Sequence, residues 1–102
     1  MKDEASQQIY AAIHSVPMGR LCSYGKIAEL AGQPGKARYV GRLLSQLPKD
    51  TRLPWFRIVN SQGKISFPYG SDSYQRQLSH LIEESSAEES GRLHWRQCRW
   101  PA

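Results

Sequence analysis

The chain has 102 residues, 39% of them hydrophobic, and its 14 Lys and Arg against 9 Asp and Glu leave a formal charge of +5. That length supports one domain with a single modest core and excludes two. No apolar run approaches the ~20 residues of a membrane span, and Met1, Lys2, Asp3 and Glu4 lead into an amphipathic pattern rather than a signal sequence.

A soluble cytoplasmic protein is therefore expected. Cys22 and Cys98 lack the pair spacing of a zinc site and read as free thiols, so no metal and no cofactor are expected.

From Glu4 to Val16, Ala5, Ile9, Ala12, Ile13 and Val16 recur at spacings of three and four, which predicts one buried helical stripe stopped by Pro17. Ser23 is the expected N-cap of a second, short helix carrying Ile27, Leu30 and Ala31 inward until Gly32. The turn Gly32, Gln33, Pro34, Gly35 leads into a third helix, about Lys36 to Leu47, burying Val40, Leu43, Leu44 and Leu47 before Pro48 closes it. Two short helices across a Gly-containing turn predict a helix-turn-helix.

Arg57 to Val59 and Lys64 to Phe67 flank the turn residues Asn60, Ser61, Gln62 and Gly63, which predicts a short β-hairpin. Tyr74, Leu78, Leu81 and Ile82 give a further helical stripe within about Ser71 to Ser85, followed by an acidic loop to Gly91. The end, from Leu93 to Trp100, is expected to pack back on the domain through Trp95 and Trp100. The fold class is mainly α: a single domain with a winged-helix-like helix-turn-helix and a short hairpin.

Charge is uneven. Arg20 to Arg57 holds eight basic residues against Glu29 and Asp50, whereas Asp72 to Ser90 holds Arg76 against five acidic ones. A polyanion partner, if there is one, therefore belongs to the middle of the chain, and a merely solvated basic surface fits net charge equally well. The outer face of the third helix carries Ala37, Arg38, Gly41, Arg42 and Ser45, small residues and cations that suit close approach to a nucleic-acid groove.

Two motifs sharpen this. From Val16 to Arg42 the chain reads V-P-x-G-x-x-x-S-Y-G-x-I-A-x-x-A-G-x-P-x-x-A-R-x-V-G-R, and Pro54, Trp55, Phe56, Arg57, Ile58 follow at the spacing of an active-site motif P-C-H-R-V. Both resemble the O6-alkylguanine-DNA alkyltransferases, and Trp55 at the cysteine position resembles their non-catalytic branch, the alkyltransferase-like proteins. With Arg92, Trp95, Arg99 and Trp100 at the end, similarity to that branch covers nearly the whole chain.

The resemblance implies a monomer that binds duplex DNA containing O6-alkylguanine through the minor groove, with no membrane association and a place on the nucleoid if the source is bacterial. It makes Arg38 the finger that fills the hole left by an extruded base and Tyr24 the residue that pushes on the 3′ phosphate. Lys36, Ala37, Gly41, Arg42 and Ser45 are the accompanying DNA-contact candidates. Pro54, Trp55, Phe56, Arg57, Val59 and Ser66 are the candidates for the lesion pocket. Arg57 has a second reading, a loop tie paired to a carboxylate.

Neither indole nor phenyl ring supplies the thiolate that one-step alkyl transfer needs. The implied outcome is a flipped base held without chemistry and flagged to nucleotide excision repair proteins. A sequence-specific helix-turn-helix transcription factor, and a cryptic repair enzyme using Cys22 or Cys98, are the alternatives. The chain departs from the transferase pattern at Phe56 for histidine, at Leu47 for the asparagine before proline, and at Ser85 for the glycine after the relay glutamate, to which Glu84 corresponds. The loop Ser66 to Gly70 is implied to form the far wall of the pocket.

Overall fold

The structure, a computed structural model, describes residues 3–102; Met1 and Lys2, on which the expectation about the chain start partly rests, lie outside the described residues. In chain order it contains α1 (Glu4–His14), β1 (Cys22–Ser23), α2 (Tyr24–Leu30), α3 (Ala37–Ser45), a single 3-10 turn (Trp55–Arg57), β2 (Ile58–Val59), α4 (Asp72–Glu83) and α5 (Trp95–Cys98). Among the described residues no helix is long and apolar enough to cross a membrane.

Three helices start on side-chain caps. Asp3 accepts from the Ser6 N–H at 2.7 Å, Ser23 Oγ from Lys26 at 3.1 Å and Ser71 Oγ from Tyr74 at 3.2 Å, each worth about 1 kcal/mol. The α2–α3 turn is held instead by backbone shape: Gly32 and Gly35 adopt φ of +73° and +82°, where a Cβ is strained. α2 packs on α3, which is the expected helix-turn-helix.

Two apolar clusters meet at a minimal sheet. β1 and β2 pair in parallel, Cys22 opposite Ile58 and Ser23 opposite Val59. Because side chains alternate across a strand, Cys22 and Ile58 face the first cluster with Ile9, Ile13, Val16, Ile27 and Val40, while Leu21 and Val59 face the second with Tyr74, Leu78 and Leu81. The C-terminal segment joins the same layer: Leu21 N–H donates to Cys98 O at 2.9 Å and Trp100 N–H to Leu21 O at 2.7 Å. Trp95 and Trp100 pack back on the second and first clusters, respectively, as expected.

The expected hairpin is corrected. Asn60 N–H does donate to Lys64 O at 2.9 Å, but Lys64 to Phe67 continues as irregular chain, and the edge of Ile58–Val59 is taken by Cys22–Ser23. Parallel pairing needs a long crossover, and α2, α3 and the following loop supply it. Leu30 is also corrected: it is exposed, and Ala28 takes the buried position. The acidic loop is more ordered than its composition implies, since Ser86 and Ala87 are buried and Ala87 bridges to Leu93.

Candidate nucleic-acid interface

The outer face of α3, the start of α2 and the 3-10 turn enclose a cavity of about 490 Å³, within the range of small-ligand sites. Tyr24, Ala37, Arg38, Gly41 and Ser45 form the wall on the helix-turn-helix side, and Trp55 and Ser66 face them. Seven of the sequence-derived candidates thus come together although they span residues 24 to 66. Tyr24 is oriented by a 2.6 Å hydrogen bond between its hydroxyl and Ser66 Oγ. Arg38 stands exposed in the first turn of α3.

Trp55 sits between two hollows. It lines the large cavity and also a smaller one of about 200 Å³ bounded by Leu47, Lys49, Ser73 and Arg76. Its indole meets Phe67, Phe56 and His80 edge-on at centroid distances of 6.4, 5.9 and 6.0 Å, and the Arg76 guanidinium lies 5.5 Å over the ring. Such cation–π and edge contacts hold the ring without closing either hollow.

The other candidates lie elsewhere. Lys36 and Arg42 are exposed on or beside α3 but do not line the cavity. Pro54 is buried behind the 3-10 turn, and Val59 is fully buried in the second cluster. Phe56 points at α4, stacking on His80 at 4.3 Å with an interplanar angle of 12°. These three are supports of the pocket rather than its lining, because the 3-10 turn directs successive side chains outward in different directions.

Arg57 takes its second reading, the loop tie. Its Nε and Nη2 donate to the two carboxylate oxygens of Glu84 at 2.9 and 2.6 Å, and Nη1 donates to Val16 O at 2.8 Å. Glu84 also accepts from the Gly19 N–H at 3.0 Å. Burial works to raise the Glu84 pKa and is the largest single influence; the hydrogen bonds from Arg57 and Gly19, with the charges of Arg57 and His80, outweigh it and hold the carboxyl below its ordinary value. The fork-on-carboxylate geometry is the strong form of this pair.

Leu44, Ile58, Asn60, Phe67 and Gln77 line the cavity without having been singled out one by one. Phe67 belongs to the loop that the resemblance places on the far wall. Gln77 carried a readable signal: a polar residue standing in the Tyr74, Leu78, Leu81 stripe of α4. No cysteine lines the cavity. Cys22 is wholly buried in the first cluster, and burial pushes its thiol up to about 11, which removes it as a nucleophile near neutral pH.

The family model described as 6-O-methylguanine DNA methyltransferase, DNA binding domain, matches residues 4–86. The chain belongs to this family. Within it, the chain is 43% identical over 98 residues to a DNA base-flipping protein of Vibrio parahaemolyticus, covering 96% of this chain and 97% of that protein. It is 40% identical over 82 residues to alkyltransferase-like protein 1 of Schizosaccharomyces pombe, covering 80% and 76%. The fold matches the crystal structure of S. pombe Atl1 in complex with damaged DNA containing O6-carboxymethylguanine, with a TM-score of 0.85, 34% identity and coverage of 100% and 99%. Mycobacterium tuberculosis OGT in complex with DNA matches at a TM-score of 0.71 and 30% identity, over 84% of this chain but 52% of that one. The alkyltransferase-like relatives thus align over most of both chains, whereas the transferase has about half its length outside the match.

Proposed function

We propose that this alkyltransferase-like protein binds duplex DNA at O6-alkylguanine through the minor groove, draws the damaged base into the cavity beside Trp55 and keeps it there without transferring the alkyl group. The observation that carries the reading is the cavity itself: Arg38 and Tyr24 line it together with the small-residue face of α3, and no thiol reaches it. Extruding a base costs a few kcal/mol of stacking and pairing. A guanidinium entering the stack and a phenol bearing on the backbone each offset part of that cost, and the apolar walls of Leu44, Trp55, Ile58 and Phe67 receive the base and its alkyl group. The two relatives named for base flipping and alkyltransferase likeness, and the damaged-DNA complex of Atl1, support the same reading.

The held complex acts as a flag for nucleotide excision repair, and the protein works as a monomer. A fluorescence titration of one duplex with a single O6-methylguanine against its unmodified twin, at fixed salt because phosphate contacts make affinity salt-dependent, tests the binding step. Tighter lesion binding by about tenfold, or about 1.4 kcal/mol, is expected; equal affinity would sink the proposal. Intact mass after incubation with the lesion should be unchanged, and a gain of one methyl group would convert the protein into a transferase.

A further inference from the structure

A third hollow, of about 300 Å³, lies between the loop after β2 and the C-terminal segment, at the lower end of ligand-pocket sizes. It shares no lining residue with either hollow beside Trp55. One side of its wall, Gly91, Arg92, Leu93 and Trp95, lies beyond the residues 4–86 that match the DNA-binding family model.

Its floor is apolar and fixed. Ile65, Leu93 and Trp95 are half-buried against the second cluster, to which Tyr74 belongs. The Trp95 ring rests on Gly63 and the Tyr74 hydroxyl on Gly91, so closely that a Cβ at either glycine would collide with it. Both glycines have positive φ, +77° and +98°, a combination of conformation and contact that only glycine meets without strain. Tyr69, 84% exposed, packs edge-on against Tyr74 at 5.2 Å and extends the aromatic surface outward.

The rim is cationic. Lys64 and Arg92 are exposed, and neither side chain makes a hydrogen bond or ion pair among the described residues. The Tyr74 hydroxyl lines the same hollow, also without a hydrogen bond among the described residues. Three donors thus stand unpaired around an aromatic floor, and Trp, Tyr and Arg are the residues that dominate protein–protein hot spots. A phosphodiester backbone would satisfy the cations but offers nothing to the floor. Glu88 and Glu89 also stand on the turn that carries Arg92, closed by Glu88 N–H to Arg92 O at 2.8 Å and Gly91 N–H to Glu88 O at 2.9 Å, where they repel a long polyanion. A short acidic segment that reaches only the hollow escapes that repulsion.

We propose that this hollow docks an acidic segment of a partner protein, its carboxylates on Lys64, Arg92 and the Tyr74 hydroxyl and one bulky apolar side chain on the Trp95 floor, while DNA occupies the cavity beside Trp55. The proposal extends the flagging role proposed above, since a held lesion is useful as a flag only if a partner can dock on the bound protein.

The test pans a random peptide library displayed on phage against the immobilised full chain, then titrates the enriched peptides, synthesised with a fluorescein label, by anisotropy. Peptides in which acidic residues flank a bulky apolar or aromatic residue should be enriched. Lys64→Glu with Arg92→Glu should weaken their binding by about tenfold or more, and saturating O6-methylguanine duplex should leave it within about twofold. Lys64→Gln with Arg92→Gln, which removes the charges without reversing them, serves if the first pair does not fold. Absence of an acidic, apolar-anchored motif overturns the proposal, as does peptide binding that ignores the charge changes or is displaced by duplex. Loss of duplex affinity with a smaller salt slope in the folded variants would make Lys64 and Arg92 phosphate contacts and overturn it too. Lesion preference without peptide binding overturns the docking surface alone, whereas peptide binding without lesion preference overturns the flagging reading alone.

Discussion

Replacing Gly41 by alanine should move stability and DNA binding in opposite directions. Gly41 lies mid-way along α3 with an ordinary negative φ, and a Cβ built there meets only the Tyr24 ring, at 3.9 Å. That distance is ordinary van der Waals contact, so the fold does not require glycine at this position. A helix-interior glycine costs roughly 0.5–1 kcal/mol relative to alanine. With about 4–8 °C per kcal/mol for a domain of this size, thermal unfolding of Gly41→Ala should shift upward by about 2–8 °C. The added methyl group stands on the cavity and groove side, beside Ala37 and Ser45. There it holds the helix off the duplex and weakens titrated binding of an O6-methylguanine duplex by severalfold, and Gly41→Leu should do so more strongly. A lower melting temperature would refute the packing argument. Unchanged affinity in both variants would refute the assignment of this face to DNA.

Arg38→Ala should weaken lesion binding by about 1–3 kcal/mol without altering the melting temperature, because the side chain is exposed and makes no hydrogen bond or ion pair among the described residues; equal loss on undamaged duplex, with a smaller salt slope, would mark a phosphate contact instead. Arg57→Met should destabilise by about 3 kcal/mol, since it strands a largely buried carboxylate, and urea midpoints would show it. The depressed pKa of Glu84 adds stability that is fully present above its ordinary value of 4.5 and lost as pH falls through the lower folded value. Urea midpoints measured from neutral pH downward should therefore fall less steeply in acid for Glu84→Gln than for wild type, and parallel curves would contradict the linkage. Trp55→Cys should not acquire alkyl transfer, because Phe56 stands where the transferase motif has its histidine and His80, the imidazole near the indole, is stacked on the Phe56 ring; a stoichiometric mass gain after exposure to O6-methylguanine DNA would prove that argument wrong.

The parts legible in the sequence are those encoded locally. Ser23 caps the helix it was expected to cap, and Pro17 and Pro48 follow helices that have already ended. The small, cationic composition of the α3 outer face was readable from spacing, which left a solvated face equally open, and the dense motif from Val16 to Arg42 singled out Tyr24 and Arg38, which line the cavity. What was not legible depends on pairings distant in the chain. Ile58–Val59 had a plausible partner six residues away and found a better one at Cys22–Ser23, where β2 buries both its side chains and β1 buries Cys22. Arg57 reads the same from sequence whether it faces a base or a carboxylate, and only the approach of α4 brings Glu84 within 2.6 Å. The resemblance placed Phe56 and Val59 in one pocket with Trp55, yet a 3-10 turn running into a strand sends these neighbours to different sides.

The corrected role of Arg57 strengthens the case for the cavity. Trp55 rides on a three-residue turn, an element too short to hold its own position. On one side that turn is tied by Arg57 to Glu84 and to Val16 O, and so to Gly19 through Glu84; on the other its backbone is gripped by Gln77 at Phe56 O and Ile58 O. The residues immediately after the indole are therefore anchored to both apolar clusters before any DNA binds. A pocket held in this way spends little binding energy on ordering itself. Had Arg57 pointed into the cavity, Glu84 would keep only the Gly19 N–H and lose its countercharge, and the wall carrying Trp55 would lose its strongest tie. The arginine serves recognition best from outside the site, by fixing the ring that faces the base.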